Sequence, residues 1–187
     1  MIQLEDEFLE DLQNLFDHME KEYDRVAEIY QFSCDGCTQN CCTTNFQHYT
    51  VLEMELLKAG LSSIPEEEKN EIVEKARIAV EEKKAGGNPR CPILLENRCR
   101  MYKYRPMLCR MHGQPYLLKN PVSGTVMGDG CLVFQEKNQP PYETQIDRTT
   151  FFIKFAELER RARESGQYSS QAKARTIPEM ILELENL

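Results

Sequence analysis

Apolar residues recur at helical spacing along the first thirty residues of the chain. Acidic residues are concentrated at the start of this segment, where the helix dipole favours them. The pattern predicts one amphipathic helix over residues 3–30, whose apolar stripe packs on the rest of the domain or docks a partner. The stripe consists of Leu4, Phe8, Leu12, Leu15, Met19, Tyr23, Val26 and Tyr30.

Two further helices are predicted between residues 50 and 84. Thr50 and Glu53 have the spacing of a capping box, which predicts a short helix ending near Lys58 because Gly60 follows. Pro65 suits the first turn of the next helix, which is predicted to run to residue 84. The predicted buried side of that helix comprises Ile72, Val73, Ala76, Ile78, Ala79 and Val80.

The second half of the chain mixes extended and helical patterns. Residues 115–135 predict a β-hairpin, with "PYLLKN" and "TVMGDGCLVF" as strands and "PVSG" as the turn. A linker over 138–145 precedes a helical segment at 146–165, and a short helix is predicted at 177–187. The stripe of the 146–165 helix consists of Phe151, Phe152, Phe155 and Leu158.

These elements predict a mainly α fold, a helical shell around an irregular cysteine-rich centre with one small hairpin. We expect an N-terminal helix over 1–30, a cysteine-cluster metal-binding domain over 31–135, and a helical extension over 136–187 that packs on it. A chain of 187 residues is long enough to bury a core without covalent cross-links.

The charge distribution argues against two classes of partner. The net charge is −8, and no stripe of Lys and Arg is present that could neutralise phosphates, so neither direct nucleic-acid binding nor binding to anionic membranes is expected. The N-terminal residues lack the pattern of a signal peptide, and no apolar stretch is long enough to span a bilayer. We therefore expect a cytoplasmic protein, in which thiols stay reduced.

The cysteines are confined to the middle of the chain, and we predict that they are metal ligands. In a reducing compartment, clustered cysteines point to metal binding more than to disulfides. The spacing of the first two lets their thiolates hold one metal from a tight turn, whereas adjacent cysteines usually point apart. The predicted ligands are Cys34, Cys37, Cys41, Cys42, Cys91, Cys99, Cys109 and Cys131.

The spacing of the later cysteines leaves the metal open. Seven, nine and twenty-one residues separate the last four, which does not match the two short-spaced pairs of a zinc ribbon. Scattered ligands suit an iron–sulfur cluster better, although the ferredoxin run of cysteines is also absent. Iron–sulfur is preferred and zinc is kept as the alternative.

Basic and aromatic side chains near Cys99 and Cys109 are candidates for supporting the metal ligands. Arg105 and Arg110 could donate hydrogen bonds to the sulfurs and offset their negative charge, or pair with the glutamate-rich helices. Tyr102 could shield the centre or pack in the core. A mixed site with nitrogen from His48 or His112 is a further alternative.

The residues between 34 and 131 carry a resemblance to a known family. "CDGCTQNCC" followed by "CRMYKYRPMLCR" resembles the CxxCxxCC family of zinc- or iron-chelating proteins, also called the YkgJ-like cysteine-cluster family. The resemblance implies a metal-chelating role. One departure is that the family pattern has Cys-Pro-Gly near its end, whereas this chain reads "GDGCLVF", which makes Cys131 the weakest of the predicted ligands.

No enzyme motif singles out a catalytic residue. A phosphate-binding loop, a dinucleotide fingerprint and the HExxH motif are absent, and no cysteine stands beside an evident base. Three hypotheses follow: an iron–sulfur or iron protein with a redox or accessory role, a zinc-stabilised interaction domain, and a catalytic accessory module of a methyl-transfer or redox system. A protein partner or a homodimer through the terminal helices is expected to accompany the metal ion.

Overall fold

The computed structural model describes residues 7–34, 41–96, 98–122, 124–168 and 172–185. The α-helices are α1 (Glu7–Tyr30), α2 (Val51–Ser62), α3 (Glu66–Lys84), α4 (Met107–Arg110), α5 (Leu132–Gln135), α6 (Thr149–Glu164) and α7 (Ile177–Glu185). The strands are β1 (Leu94–Leu95), β2 (Arg98–Cys99), β3 (Pro115–Asn120), β4 (Gly124–Asp129) and β5 (Ile146–Asp147), and 3₁₀ turns lie at Cys41–Thr43 and Tyr102–Tyr104. Helices make up 56% of the described residues, which confirms the predicted mainly α class with a small β part.

The chain divides into two compact units, each made of two separate segments. The first combines residues 1–39 with 110–167, and the second combines residues 40–109 with 168–187. No helix in the described ranges has both the length and the apolar character needed to cross a membrane.

The first unit is built around the long helix α1, which packs on α6. The aromatic rings of Phe16 and Phe155 meet across this contact, with 6.1 Å between their centroids. The structure confirms both helices that helical spacing predicted here. Leu4, the first residue of the predicted apolar stripe, lies outside the described residues. The side chains that α1 buries are Phe8, Leu9, Leu12, Leu15, Phe16, Met19 and Val26.

The predicted hairpin is present in the first unit, as part of a three-stranded sheet. β3 pairs with β4 antiparallel and with β5 parallel, in the strand order β4-β3-β5. β5 occupies the start of a segment predicted to be helical, and α6 begins two residues later, where Asp147 accepts a hydrogen bond from the backbone N–H of Thr149.

The prediction of a strand through Phe134 is wrong, because the chain turns at Gly130. This glycine has φ +82, and a Cβ there would lie 2.6 Å from the carbonyl oxygen of Gly113. A side chain is therefore disfavoured by both backbone strain and space. Helix α5 follows the turn, and the ring of Phe134 is fully buried against Tyr30 and Phe32.

In the second unit, α7 packs on α3 and α2. The prediction that Ile78 faces the core is wrong, since its side chain is 58% exposed on the outer face of α3, and Val80 is only half-buried. The buried cluster at the centre of this unit consists of Met54, Leu57, Leu61, Ile72, Val73, Ala76, Ile93, Met101, Met180 and Ile181.

Gly60 does not end α2, contrary to the prediction. The helix continues to Ser62, and Gly60 is a buried position within it. A Cβ at Gly60 would lie 2.5 Å from the methyl carbon of Met101 and 3.0 Å from Cβ of Tyr104. The glycine therefore allows the 3₁₀ turn after β2 to approach the helix closely.

Candidate metal centre

Five of the predicted ligands lie in the second unit and come from separate local structures. Cys41 and Cys42 lie in a 3₁₀ turn, Cys91 in the loop after α3, Cys99 in β2 and Cys109 in α4. A backbone hydrogen bond of 2.8 Å from the N–H of Cys91 to the carbonyl of Cys42 joins two of these segments. The hairpin of β1 and β2 then places Cys99 opposite Leu94.

These five cysteines line one small cavity of about 40 Å³. A cavity of that size accommodates an ion or a few water molecules. Most of the other lining side chains are apolar, including Phe46, Leu57, Ile93 and Met101. Cysteines from four segments of the second unit therefore line one cavity.

Contacts among the thiols shift their pKa values in opposite directions. Hydrogen bonds to Cys41 and Cys91, followed by burial, raise the pKa of Cys42, and the same bond from Cys42 lowers the pKa of Cys91. A hydrogen bond with Cys41, followed by burial, raises the pKa of Cys109. Burial, and next the charge of Cys91, raise the pKa of Cys99 to about 12. Burial and the negative charge of a neighbouring thiolate oppose ionisation of a thiol, and a bound cation reverses that opposition.

The seven cysteines within the described ranges are free thiols. In that part of the chain, no group of three or more His, Cys, Asp or Glu side chains has the arrangement of a complete metal site. Four of these thiols instead hydrogen-bond to one another, Cys42 with both Cys41 and Cys91, and Cys41 also with Cys109.

Two other predicted ligands lie in the first unit. The hydroxyl oxygen of Tyr23 is 3.3 Å from the sulfur of Cys34. Burial, followed by the charges of Cys34 and, more weakly, Cys131, raises the pKa of Tyr23. Cys131 precedes α5, and its backbone N–H donates to the carbonyl of Gly113 at 3.1 Å. Cys37 lies outside the described residues.

The side chains predicted to support the ligands lie in different surroundings. Arg105 lines the cavity. Burial and the charge of Cys91 raise the pKa of Cys99, and the positive charge of Arg105 offsets a small part of that rise. Its guanidinium also stacks 3.4 Å from the ring centroid of Tyr102, which is 59% exposed. Arg110 is buried in the first unit, where it forms an ion pair of 2.6 Å with Glu20.

Sequence reasoning missed the importance of one acidic residue in this region. Glu53 was predicted only as part of a helix cap, and its backbone N–H does donate to the side chain of Thr50 at 3.1 Å. Its carboxylate is also buried, accepts the backbone N–H of Met107 at 3.0 Å and lies 3.3 Å from Nδ1 of His48. Nothing in the helical pattern distinguishes a buried glutamate from the exposed ones, so no sequence signal indicated these contacts.

The middle of the chain matches a protein family. Residues 33–132, more than half of the chain, match the CxxCxxCC family model, described as "Putative zinc- or iron-chelating domain". The match includes every cysteine of the chain. No curated protein and no solved structure matches.

Proposed function

Because the chain belongs to the CxxCxxCC family of zinc- or iron-chelating domains, we propose that the cavity of the second unit binds a transition metal through cysteine thiolates. The observation that carries the proposal is the convergence of Cys41, Cys42, Cys91, Cys99 and Cys109 on that cavity. Apolar packing alone does not require thiols from four separate segments to meet.

The donor chemistry supports zinc or iron over magnesium or calcium. Thiolate is a soft ligand that suits zinc and iron–sulfur centres, whereas magnesium and calcium take oxygen ligands. The apolar side chains around the thiols limit the access of water, which strengthens the interaction between the thiolates and a cation. Arg105, at the edge of the same cavity, supplies a positive charge near the anionic sulfurs.

We place iron ahead of zinc as the bound metal. A structural zinc ion takes four ligands, and five thiols line the cavity, so the number of donors favours a centre with more than one metal atom. An iron–sulfur cluster, when bound, supplies one-electron chemistry. The corresponding role for the protein is a redox or accessory one. Its cysteines would supply the sulfur ligands, and its apolar side chains would exclude water.

Anaerobic purification followed by metal analysis and a visible spectrum tests this proposal. We expect a brown protein whose visible absorption is bleached by dithionite and whose iron content falls by at least half in Cys91→Ser and Cys99→Ser variants. Val126→Ser, at an exposed position on β4, is the matched control and should retain the metal content of the native protein. A colourless protein containing zinc would favour a zinc-stabilised domain, and metal content unchanged by both cysteine substitutions would contradict the site.

A further inference from the structure

His48 lies among the cysteines of the second unit and is held by its backbone. It lines the same cavity, and only 2% of its surface is exposed. The backbone N–H of His48 donates to the carbonyl of Arg175 at 2.7 Å, and the N–H of Arg175 donates back at 2.9 Å. This isolated bridge fixes the backbone of His48 against the segment that precedes α7.

A carboxylate holds the imidazole ring from the side of Nδ1. Oε1 of Glu53 lies 3.3 Å from this nitrogen and also accepts the backbone N–H of Met107. The second oxygen, Oε2, accepts the hydroxyl of Thr50 at 2.8 Å. Because a carboxylate only accepts hydrogen bonds, Nδ1 carries the proton in this contact, and the lone pair of the neutral ring is on Nε2.

The other ring nitrogen of His48 has no hydrogen-bond partner among the residues that the structure describes. Nε2 is buried, and it makes no hydrogen bond to any residue that the structure describes. A buried polar atom without a hydrogen-bond partner destabilises the fold. Neutral imidazole nitrogen is a common ligand of zinc and iron, and metal-bound histidines usually donate their other N–H to a carboxylate or carbonyl.

We propose that His48 is a ligand of the metal through Nε2 and that Glu53 is the residue that positions its ring. The centre is then a mixed cysteine and histidine site in which imidazole nitrogen joins thiolates from the cavity wall. The inference rests on the proposed function, since it adds a ligand to the same site. It also gives a reason for the buried carboxylate of Glu53, which a helix cap alone does not require.

Nitrogen NMR of protein carrying ¹⁵N-labelled histidine tests the assignment, with Zn²⁺ added anaerobically as the probe. The chain has three histidines, so each resonance can be assigned by a single His→Gln substitution. We expect Zn²⁺ to shift the Nε2 resonance of one ring, whose Nδ1 remains protonated. That resonance should be missing in His48→Gln and retained in His18→Gln, a control at an exposed position.

The Glu53→Gln variant tests whether Glu53 positions the ring of His48 or only stabilises the fold. An amide oxygen can still accept the N–H of Met107, so we expect the variant to fold with the native circular dichroism spectrum. Loss of the carboxylate should lower Zn²⁺ affinity about 10–100-fold, as for other residues that orient a metal-bound histidine. It should also shift the Nδ1–H resonance of His48. Glu68→Gln, whose partner Arg100 lies on the surface, should leave Zn²⁺ affinity unchanged.

Either of two results would overturn the inference, and only the second would also overturn the proposed function. If Zn²⁺ binds while the Nε2 resonance of His48 does not move, His48 is not a ligand and the thiolate site stands. If neither Zn²⁺ nor iron binds to the native protein, the proposed function fails together with the inference.

Discussion

Arg175 shows how a single ion pair stabilises the surroundings of the candidate site. Its guanidinium is almost completely buried and donates to both carboxylate oxygens of Glu183, at 2.6 Å each. Its backbone forms the bridge to His48. Removing Glu183 would leave a buried charge without this partner beside the segment that holds His48.

The Arg175–Glu183 pair predicts a defined dependence of stability on pH. The hydrogen bonds from Arg175 lower the pKa of Glu183 below its ordinary value. The pair therefore contributes its full stabilisation at pH values above about 4.3, the pKa of a glutamate in the unfolded chain. The contribution is lost as the pH falls through the pKa of Glu183 in the folded protein, which is lower. At pH 7, Glu183→Gln should lower the free energy of unfolding by about 1–3 kcal/mol. Urea unfolding at a series of pH values should show this difference shrinking below about pH 4.

The control for this experiment is Glu164→Gln. Its partner Arg160 is exposed, and exposed pairs of this kind contribute about 0–1 kcal/mol. A difference between the native protein and Glu183→Gln that stays constant from pH 7 to pH 3 would show that the ionised carboxylate is not the source of the effect.

Residue identity identifies the cysteines as candidate ligands but does not predict the contacts between side chains. Thiols at metal-binding spacing are recognisable because few other roles require so many in one region. The pairing of Glu53 with His48 is a local contact between residues five apart at the start of α2, but the spacing of a capping box does not encode it. The sequence pattern also does not predict the exposure of Ile78, which is apolar yet lies on the exposed face of α3.

At the scale of the elements, α2 and the 3₁₀ turn lie so close together at Gly60 that we predict a loss of stability in the Gly60→Ala variant. Alanine within a helix is normally about 1 kcal/mol more favourable than glycine. Here the added methyl group would lie 2.5 Å from the methyl carbon of Met101 and 3.0 Å from Cβ of Tyr104, and Cβ of Tyr104 cannot move without its backbone. Overpacking of a core costs about 1–3 kcal/mol, so Gly60→Ala should destabilise the protein by about 1 kcal/mol net.

Urea unfolding of Gly60→Ala measures this balance directly. Combining it with Met101→Ala should recover part of the loss, because the shorter side chain leaves space for the new methyl group. Stabilisation of the single variant by the ordinary helix preference would show that α2 and the 3₁₀ turn are not in close contact.

Helical periodicity predicted the long helices well and the short elements poorly. α1, α3 and α6 carry repeated apolar positions over several turns, which gives a strong signal. α5 and β5 contain four and two residues, too few to show a period. The prediction of one continuous strand failed at α5 because of the turn at Gly130, and β5 forms by pairing with β3 in a segment predicted to be helical.

At the scale of the whole molecule, each compact unit joins segments that are far apart in the sequence. The second unit combines residues 40–109 with 168–187, so α7 completes a core whose other helices lie about a hundred residues earlier. Local patterns predicted each of these helices but contained no information on their pairing. The cysteine cavity depends on that pairing, because Thr176, Ile177 and Pro178 form part of its wall.

X-ray absorption at the metal edge of the anaerobically purified protein is the most direct test of the central claim. The account predicts a shell dominated by sulfur, with metal–sulfur distances of about 2.3 Å. For an iron–sulfur centre it also predicts a second shell from neighbouring iron. Serine at Cys41, Cys91 and Cys109 together should abolish the sulfur shell. A first shell of only oxygen and nitrogen, or a sulfur shell that survives the triple substitution, would contradict a metal centre formed by these thiolates.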